Sequence, residues 1–109
     1  MTDVENFSDL KFKPFHDGIS SRVAYGDYEL STVRHSGSYG NQEGLYEIGI
    51  FKNRGGDLNN MVEIAGVTEK GDTVKGFLTE EDVTEIMGIM VKISGTDGVQ
   101  EEEEEGIEL

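Results

Sequence analysis

The sequence predicts an α+β fold: an antiparallel sheet of four to five strands, one C-terminal helix packed on it, and a disordered acidic tail. Three observations carry this prediction. Apolar and polar residues alternate in several short runs before residue 79, as in strands of a sheet. Apolar residues then recur at helical spacing between residues 83 and 91. From residue 96 the chain is acidic and poor in apolar residues, so we predict one domain over residues 1–95 and a disordered tail over residues 96–109.

The first half of the chain is predicted to hold an irregular arm and then a hairpin. Residues 1–17 form the arm, in which Leu10, Phe12 and Phe15 are the apolar anchors that we expect against the sheet. Residues 19–25 and 28–35 are two predicted strands. Gly26 and Asp27 lie between them, and such a pair suits a two-residue hairpin turn.

Three further strands are predicted after the hairpin. Residues 45–52 are apolar on both faces, which is typical of a central strand. Residues 61–67 are predicted as a fourth strand and residues 73–78 as a short fifth one. The glycine-containing stretches at 53–57 and 69–72 are turn signals that separate them.

One helix is predicted from its end signals. Thr79 is the N-cap candidate, and Asp82 stands three residues later at the position that completes a capping box. Acidic residues in the first turn complement the helix dipole. We expect the helix to end near Ser94 and Gly95, and Gly88 to allow a close approach to a strand.

Charge is the strongest signal of composition. The net charge is −14, and residues 97–108 hold seven acids and no base. The remaining chain has 16 acids against 9 bases, so it is acidic even without the tail. A negative field of this kind repels a nucleic-acid backbone and attracts basic protein surfaces. We therefore expect a basic protein as the partner and no direct contact with nucleic acid.

The location of the protein is predicted from what the sequence lacks. It has no cysteine, so it forms no disulfide. No apolar run approaches the roughly 20 residues that span a bilayer, and the first residues do not resemble a signal peptide. We expect a cytoplasmic protein that does not contact a membrane.

A glycine-rich stretch, HSGSYGNQEG at residues 35–44, admits three interpretations. It is a long hairpin loop with glycines at positive φ, a protein-contacting loop, or a nest of amides for a phosphate. No helix follows it, so it matches neither a P-loop nor a dinucleotide fingerprint. For the second interpretation, Arg34, Ser38 and Tyr39 are the predicted contact residues.

Catalytic, metal and cofactor sites are not predicted. His16 and His35 are the only histidines, and they lack the spacing of a zinc motif. The serines beside His35 lie in nothing that resembles a nucleophile elbow. We therefore expect a protein that is not an enzyme.

Two stretches of the chain resemble a group of small, uncharacterised proteins of tailed bacteriophages. They are VRHSGSYGNQEGLYEIGIF at residues 33–51 and GFLTEEDVTEIM at residues 76–87. The shared features are a Gly-Ser-Tyr-Gly loop after an arginine, a Gly-Leu-Tyr-Glu strand and a Gly-Phe-Leu-Thr-Glu-Glu helix start. The linker before the helix and the run of glutamates depart from that group's pattern. The resemblance implies a phage origin and the host cytoplasm as the setting, and it assigns no biochemistry.

The functional expectation combines this resemblance with the charge. We expect a small acidic phage protein that binds a basic host or phage protein and modulates it, inhibition as a nucleic-acid mimic being one form. The alternatives are a small-molecule or nucleotide-binding module that uses the loop at 36–44, and a virion or assembly component. Besides the loop residues above, the predicted protein-binding residues are acids of the helix and the tail: Glu80, Glu81, Glu85, Glu101, Glu102, Glu103, Glu104 and Glu105.

Overall fold

A computed structural model describes residues 3–52 and 60–101 and shows the predicted α+β class. One antiparallel sheet carries a single described α-helix, which follows six of its strands in the chain. The strands run in the spatial order β1-β7-β3-β4-β5-β6, and β2 also pairs with β3. The elements are β1 (Asp3–Val4), β2 (Lys13–Phe15), β3 (Gly18–Tyr25), β4 (Tyr28–Arg34), β5 (Tyr46–Lys52), β6 (Val74–Leu78), α1 (Glu80–Ser94) and β7 (Gly98–Gln100).

The hairpin of β3 and β4 is confirmed in its predicted register. Tyr25 pairs with Tyr28, and Val23 pairs with Leu30. Gly26 has a φ of 63°, which glycine adopts without steric cost, and the chain therefore reverses in two residues. The pairing of β4 with β5 is also antiparallel, so the glycine-rich stretch between them is a long hairpin loop.

The hydrophobic core lies between α1 and one face of the sheet. Val23, Leu30 and Ile50 are opposite one another on three neighbouring strands, and all are fully buried. The buried face of α1 packs over them with Val83, Ile86, Met87 and Met90. Because successive residues of a strand point to opposite faces, the intervening residues lie on the side away from α1.

The ends of α1 are as predicted. The Thr79 hydroxyl accepts from the Asp82 amide, and the Asp82 carboxylate accepts from the Thr79 amide, both at 3.0 Å. Gly95 caps the C-terminus in the left-handed conformation, with a φ of 75°. The expectation for Gly88 is wrong, because this residue is exposed and a Cβ there would meet nothing within 4 Å.

The predicted tail boundary is wrong, because the chain after residue 95 enters the sheet. Strand β7 fits between β1 and β3, with Val99 opposite Ala24 and Gln100 opposite Val23. Gln100 is only 4 % exposed. Its side-chain amide accepts from the Lys11 N–H at 3.0 Å and donates to the Arg22 carbonyl at 3.0 Å. The side chain of Gln100 thus makes hydrogen bonds to the backbone on both sides of it. These bonds explain why this segment is ordered although its sequence has no apolar pattern.

Two other predicted elements differ from the structure. The arm is not irregular throughout, because β1 and β2 within it pair with β7 and β3. Residues 61–67 do not continue as a strand. After Met61 bridges to Phe51, the chain curls, because the Thr68 hydroxyl accepts from the Ile64 amide and Gly66 has a φ of 87°. The short fifth strand is confirmed as β6.

Some predictions fall outside the described residues. These are the turn at 53–57 and four of the acids predicted to bind protein, Glu102, Glu103, Glu104 and Glu105. Within the ranges 3–52 and 60–101, no helix is long and apolar enough to cross a membrane.

Candidate functional site

An exposed pair of aromatic rings stands where the glycine-rich loop meets β6. The side chains of Tyr39 and Phe77 are 61 % and 58 % exposed. Their ring centroids are 6.5 Å apart and the ring planes differ by 19°, which is a stacked arrangement. We call these two residues the aromatic patch. Large aromatic side chains are costly to leave in water, so an exposed stacked pair indicates a contact surface.

A bulge in β6 turns Phe77 out to solvent. Along β5, Tyr46 pairs with Leu78 and Ile48 pairs with Lys75, so β6 has one residue more than β5 over this stretch. Phe77 takes up the extra residue with a φ of 56°, a conformation that bulky residues rarely adopt. Bulges of this kind commonly re-aim a side chain beside a functional site.

Close packing holds the two halves of the patch together. A Cβ added to Gly76 would lie 2.3 Å from the Tyr39 Cβ, so only glycine allows β6 to approach the loop this closely. The Phe77 amide donates to the Tyr39 carbonyl at 3.3 Å, and the Tyr39 amide donates to the Glu47 carboxylate at 2.9 Å. The backbone under the patch is therefore fixed, while the two rings remain exposed.

Acidic side chains surround the aromatic patch. Three cavities share Tyr39 or Phe77 in their walls, with volumes of about 490, 320 and 210 Å³. Five carboxylates line these cavities, and we call them the acidic rim: Glu43, Glu69, Asp72, Asp82 and Glu85. Lys75 is the one basic residue among the lining residues, and its ammonium is paired with Glu69. This pairing lowers the pKa of Glu69 and leaves the rim strongly negative.

The loop itself is poorly suited to hold a phosphate. Of the ten backbone N–H groups from residue 36 to residue 45, eight already donate to acceptors within the protein. The cavity of about 210 Å³ over this loop is smaller than the roughly 300–1,000 Å³ of usual ligand pockets. An anion nest needs free, convergent amides. Almost all amides of this loop already donate to the loop itself, to Asp17 or to Glu47.

The predicted loop residues have different roles in the structure. Tyr39 lies in the patch as described. Ser38 is only 8 % exposed, and its hydroxyl is bonded to the backbone of His35, so it shapes the loop. The guanidinium carbon of Arg34 lies 5.5 Å from the ring centre of Tyr46, whose ring contacts Phe7 and Phe12 of the arm. Arg34 lines none of the three cavities and makes no ion pair with Glu47 in the described part of the chain.

The acids predicted to bind protein lie at different distances from the aromatic patch. Glu85 lines the cavity of about 490 Å³ beside Phe77. Glu80 and Glu81 are exposed in the first turn of α1 and line none of the three cavities. Glu101 lies apart from the patch, next to the buried carboxyl of Glu29 on the sheet.

Two histidines meet at the start of the glycine-rich loop. The rings of His16 and His35 meet edge to face with their centres 5.7 Å apart. His35 Nδ1 accepts from the Gly37 amide, and the Ser38 hydroxyl is turned to the His35 backbone. The Ser36 amide, and then its hydroxyl, lower the pKa of Asp17. No group of three or more metal-ligating side chains occurs within the described ranges.

Phe77 is a site residue that the sequence did not predict, and so are four acids of the rim: Glu43, Glu69, Asp72 and Asp82. Residues 73–78 have the pattern of a regular strand, and the sequence does not indicate which residue other than glycine will adopt a positive φ. The adjacent Gly76 was the available signal, because glycine inside a strand pattern indicates a bulge or a close backbone approach.

Comparisons with known proteins give no relative. No family model, no curated protein and no solved structure matches this chain.

Proposed function

We propose that this chain is a small non-enzymatic phage protein that acts in the host cytoplasm. It binds a basic host or phage protein through the aromatic patch and the acidic rim, and it inhibits that protein. The observation that carries the proposal is the bulge at Phe77. A bulky residue held at a φ of 56° costs on the order of 1–3 kcal/mol, and here this conformation exposes an aromatic ring instead of burying it.

The patch has the composition of a protein contact. Binding energy at interfaces is concentrated in a few aromatic and arginine side chains surrounded by residues that exclude water. Tyr39 and Phe77 supply the aromatic centre, and the acidic rim supplies charges that a lysine- or arginine-rich partner complements. Exposed aromatic faces also attract cations directly, by roughly 0.5–1 kcal/mol each.

Charge supports inhibition in the manner of a nucleic-acid mimic. Basic proteins that handle nucleic acid expose positive grooves, and a chain with a net charge of −14 is steered into such grooves. Occupying the groove would exclude the nucleic acid. The nucleotide-binding alternative has less support, because seven of the nine amides of the loop at 36–44 already donate to acceptors within the protein.

The test is a capture experiment with matched variants. Tagged wild-type protein should capture a basic protein from infected cells, and nucleic acid should elute that protein. A variant with Tyr39→Ser and Phe77→Gly should lose the capture. Ile93→Ser is the control, because Ile93 is another exposed apolar residue, 41 % exposed, and lies at the far end of α1.

Two outcomes would contradict the proposal. One is that the captured protein is acidic and that the double variant still captures it. The other is a partner that wild-type protein and Ile93→Ser capture but that nucleic acid does not displace, which would exclude mimicry. Light scattering of the purified chain would show whether the patch joins two copies of this protein, as the assembly alternative requires.

A further inference from the structure

The cavity of about 490 Å³ beside Phe77 has an apolar floor and a charged mouth. It lies between β6, the turn at residues 66–68 and one side of α1. Val67, Leu78 and Ile86 line it, and each of them is at most 6 % exposed. The Phe77 side chain forms part of the wall, and the carboxylates of Asp82 and Glu85 are also in the lining.

The two carboxylates lie on the same side of α1. Residues three apart on a helix are neighbours, with Cβ atoms about 5–6 Å apart. One oxygen of Asp82 accepts from the Thr79 amide in the capping box. That bond fixes the carboxylate in place, so Asp82 and Glu85 present two negative groups to one side of the cavity.

Lys75 is the only cation in this lining, and it does not neutralise these two acids. Its ammonium is bound to Glu69, which does not line the cavity of about 490 Å³. The side chain of Glu69 is 63 % exposed, so this ion pair points towards solvent. A cation that enters the cavity therefore meets the carboxylates of Asp82 and Glu85 without competition from Lys75, whose ammonium is already paired with Glu69.

We propose that this cavity receives one arginine side chain of the basic partner. The inference rests on the proposed function and names the residue type that the partner must present. The methylene stem of an arginine lies on the apolar floor, as long cationic side chains do on apolar surfaces. Its guanidinium lies against the ring of Phe77 and donates to Asp82 and Glu85.

Arginine fits this cavity better than lysine for two reasons. The guanidinium is planar and stacks on an aromatic ring, whereas an ammonium is a compact and strongly hydrated charge. The guanidinium also presents several N–H donors in a fork, which can serve two carboxylates at once. The strained backbone of Phe77 then has a direct use, because it places the ring that the guanidinium stacks on.

The experiment is a titration of the full-length, isotope-labelled chain followed by amide chemical shifts. The probes are three capped Gly-X-Gly tripeptides, in which X is arginine, lysine or citrulline. Citrulline keeps the shape of arginine without its charge. We expect saturable shifts around Thr68, Phe77 and Glu85, with arginine several-fold tighter than lysine and no saturation with citrulline.

Two matched variants locate the site. Glu85→Gln should weaken arginine binding about tenfold, because it removes one charge-assisted hydrogen bond. Glu81→Gln removes the same charge from the same helix outside the cavity, so it should change the affinity by less than about twofold. Both residues are exposed, and both variants should fold.

The proposal is overturned if arginine and citrulline bind equally, if no probe saturates at millimolar concentration, or if Glu81→Gln acts like Glu85→Gln. Failure here is distinguishable from failure of the proposed function. If the tripeptide does not bind but Tyr39 and Phe77 are still required to capture a basic protein, only the arginine cavity is wrong. If the tripeptide binds but no basic protein is captured, the arginine cavity stands and the proposed function fails.

Discussion

At the scale of single residues, Glu29 is the most unusual group in the structure. It lies in β4 on the face of the sheet away from α1, and it is fully buried. Its Oε1 atom accepts from the Arg22 guanidinium at 3.1 Å. Burial, and after it the neighbouring Glu101, raise the pKa of Glu29 to about 7, although Arg22 opposes them in part. The folded protein therefore holds a proton here that an unfolded chain would release.

The raised pKa predicts a loss of stability as the pH rises. Between the ordinary value of 4.5 and about 7, the folded state binds one proton more than the unfolded state. The free energy of unfolding should then fall by up to about 1.4 kcal/mol per pH unit in this window and level off above it. Glu29→Gln should remove this part of the slope. Urea midpoints of both proteins at about pH 5, 6, 7 and 8 measure the difference, with Glu81→Gln as the control. A difference between wild type and Glu29→Gln that does not vary with pH would contradict the assignment.

Phe77 predicts a trade between stability and binding. Glycine adopts a positive φ freely, and Phe77 is exposed, so Phe77→Gly relieves strain and loses little burial. We expect the free energy of unfolding to stay unchanged or to rise by about 1 kcal/mol, while partner binding is lost. Phe77→Ala is the comparison, because it removes the ring and keeps the strain, so it should lose binding without this gain.

Tyr39→Ala should likewise change the free energy of unfolding little, since an exposed ring has little burial to lose. Urea titrations measure this free energy. If Tyr39→Ala or Phe77→Ala lowers it by about 3–5 kcal/mol, as for buried aromatic residues, the patch is part of the core and not a contact surface.

At the scale of elements, α1 and β7 show which signals a sequence carries. The ends of α1 were predicted from Thr79, Asp82 and Gly95 because capping residues act within one turn of the backbone. Strand β7 was missed because it is held by distant groups, such as the Arg22 carbonyl 78 residues before Gln100. Its own sequence, Gly-Val-Gln before a run of glutamates, has no strand pattern.

The candidate site divides in the same way. The exposure of Tyr39 could be anticipated because it lies in a glycine-rich loop between strands, and its role as a contact residue stays a prediction. The exposure of Phe77 could not, because it depends on a bulge that forms only when β6 pairs with β5. Asp82 and Glu85 of α1 line a cavity with Phe77, and no local pattern of the sequence predicts that proximity.

The position of β7 predicts that the C-terminal segment is needed for stability. Deleting residues 96–109 removes the pairings of Val99 and Gln100 and leaves the Lys11 amide and the Arg22 carbonyl without their partners. We expect a loss of more than about 3 kcal/mol, because the deletion removes two strand pairings and several hydrogen bonds that contribute about 0.5–1.5 kcal/mol each. Truncation after Glu101 is the matched control, since it keeps every described contact of β7.

If the shorter chain does not fold, Gln100→Ala gives the same information at smaller cost. It should lower the free energy of unfolding by about 1–3 kcal/mol in urea titrations. Equal midpoints for the wild type and the protein without residues 96–109 would show that β7 contributes nothing to the fold.

At the scale of the whole molecule, we expect two sets of acidic residues to act at different stages of binding. The acidic rim adjoins the aromatic patch, so its charges are part of the proposed contact. The run of glutamates at 101–105 follows β7, and β7 lies beyond β3 and β4 from the patch. Charges outside a contact act over a Debye length, about 8–10 Å at physiological salt, and change mainly the rate of encounter.

The last prediction separates these two sets of charges by their kinetics. Replacing Glu101 to Glu105 with glutamine removes five charges and should slow association with the basic partner while dissociation changes little. Replacing Asp82 with asparagine and Glu85 with glutamine removes only two charges but should speed dissociation, because in the proposed complex these groups touch the partner. Stopped-flow or surface-binding measurements between about 0.05 and 0.5 M salt report both rates, and wild-type association should weaken steeply over this range. Urea midpoints of each variant serve as the control for folding, since Asp82 also caps α1 and Glu101 borders Glu29. The complex could instead form equally well at low and high salt, and dissociate at the same rate when Asp82 and Glu85 are replaced. The two aromatic rings would then make a purely apolar contact, and the electrostatic argument for a basic partner would be wrong.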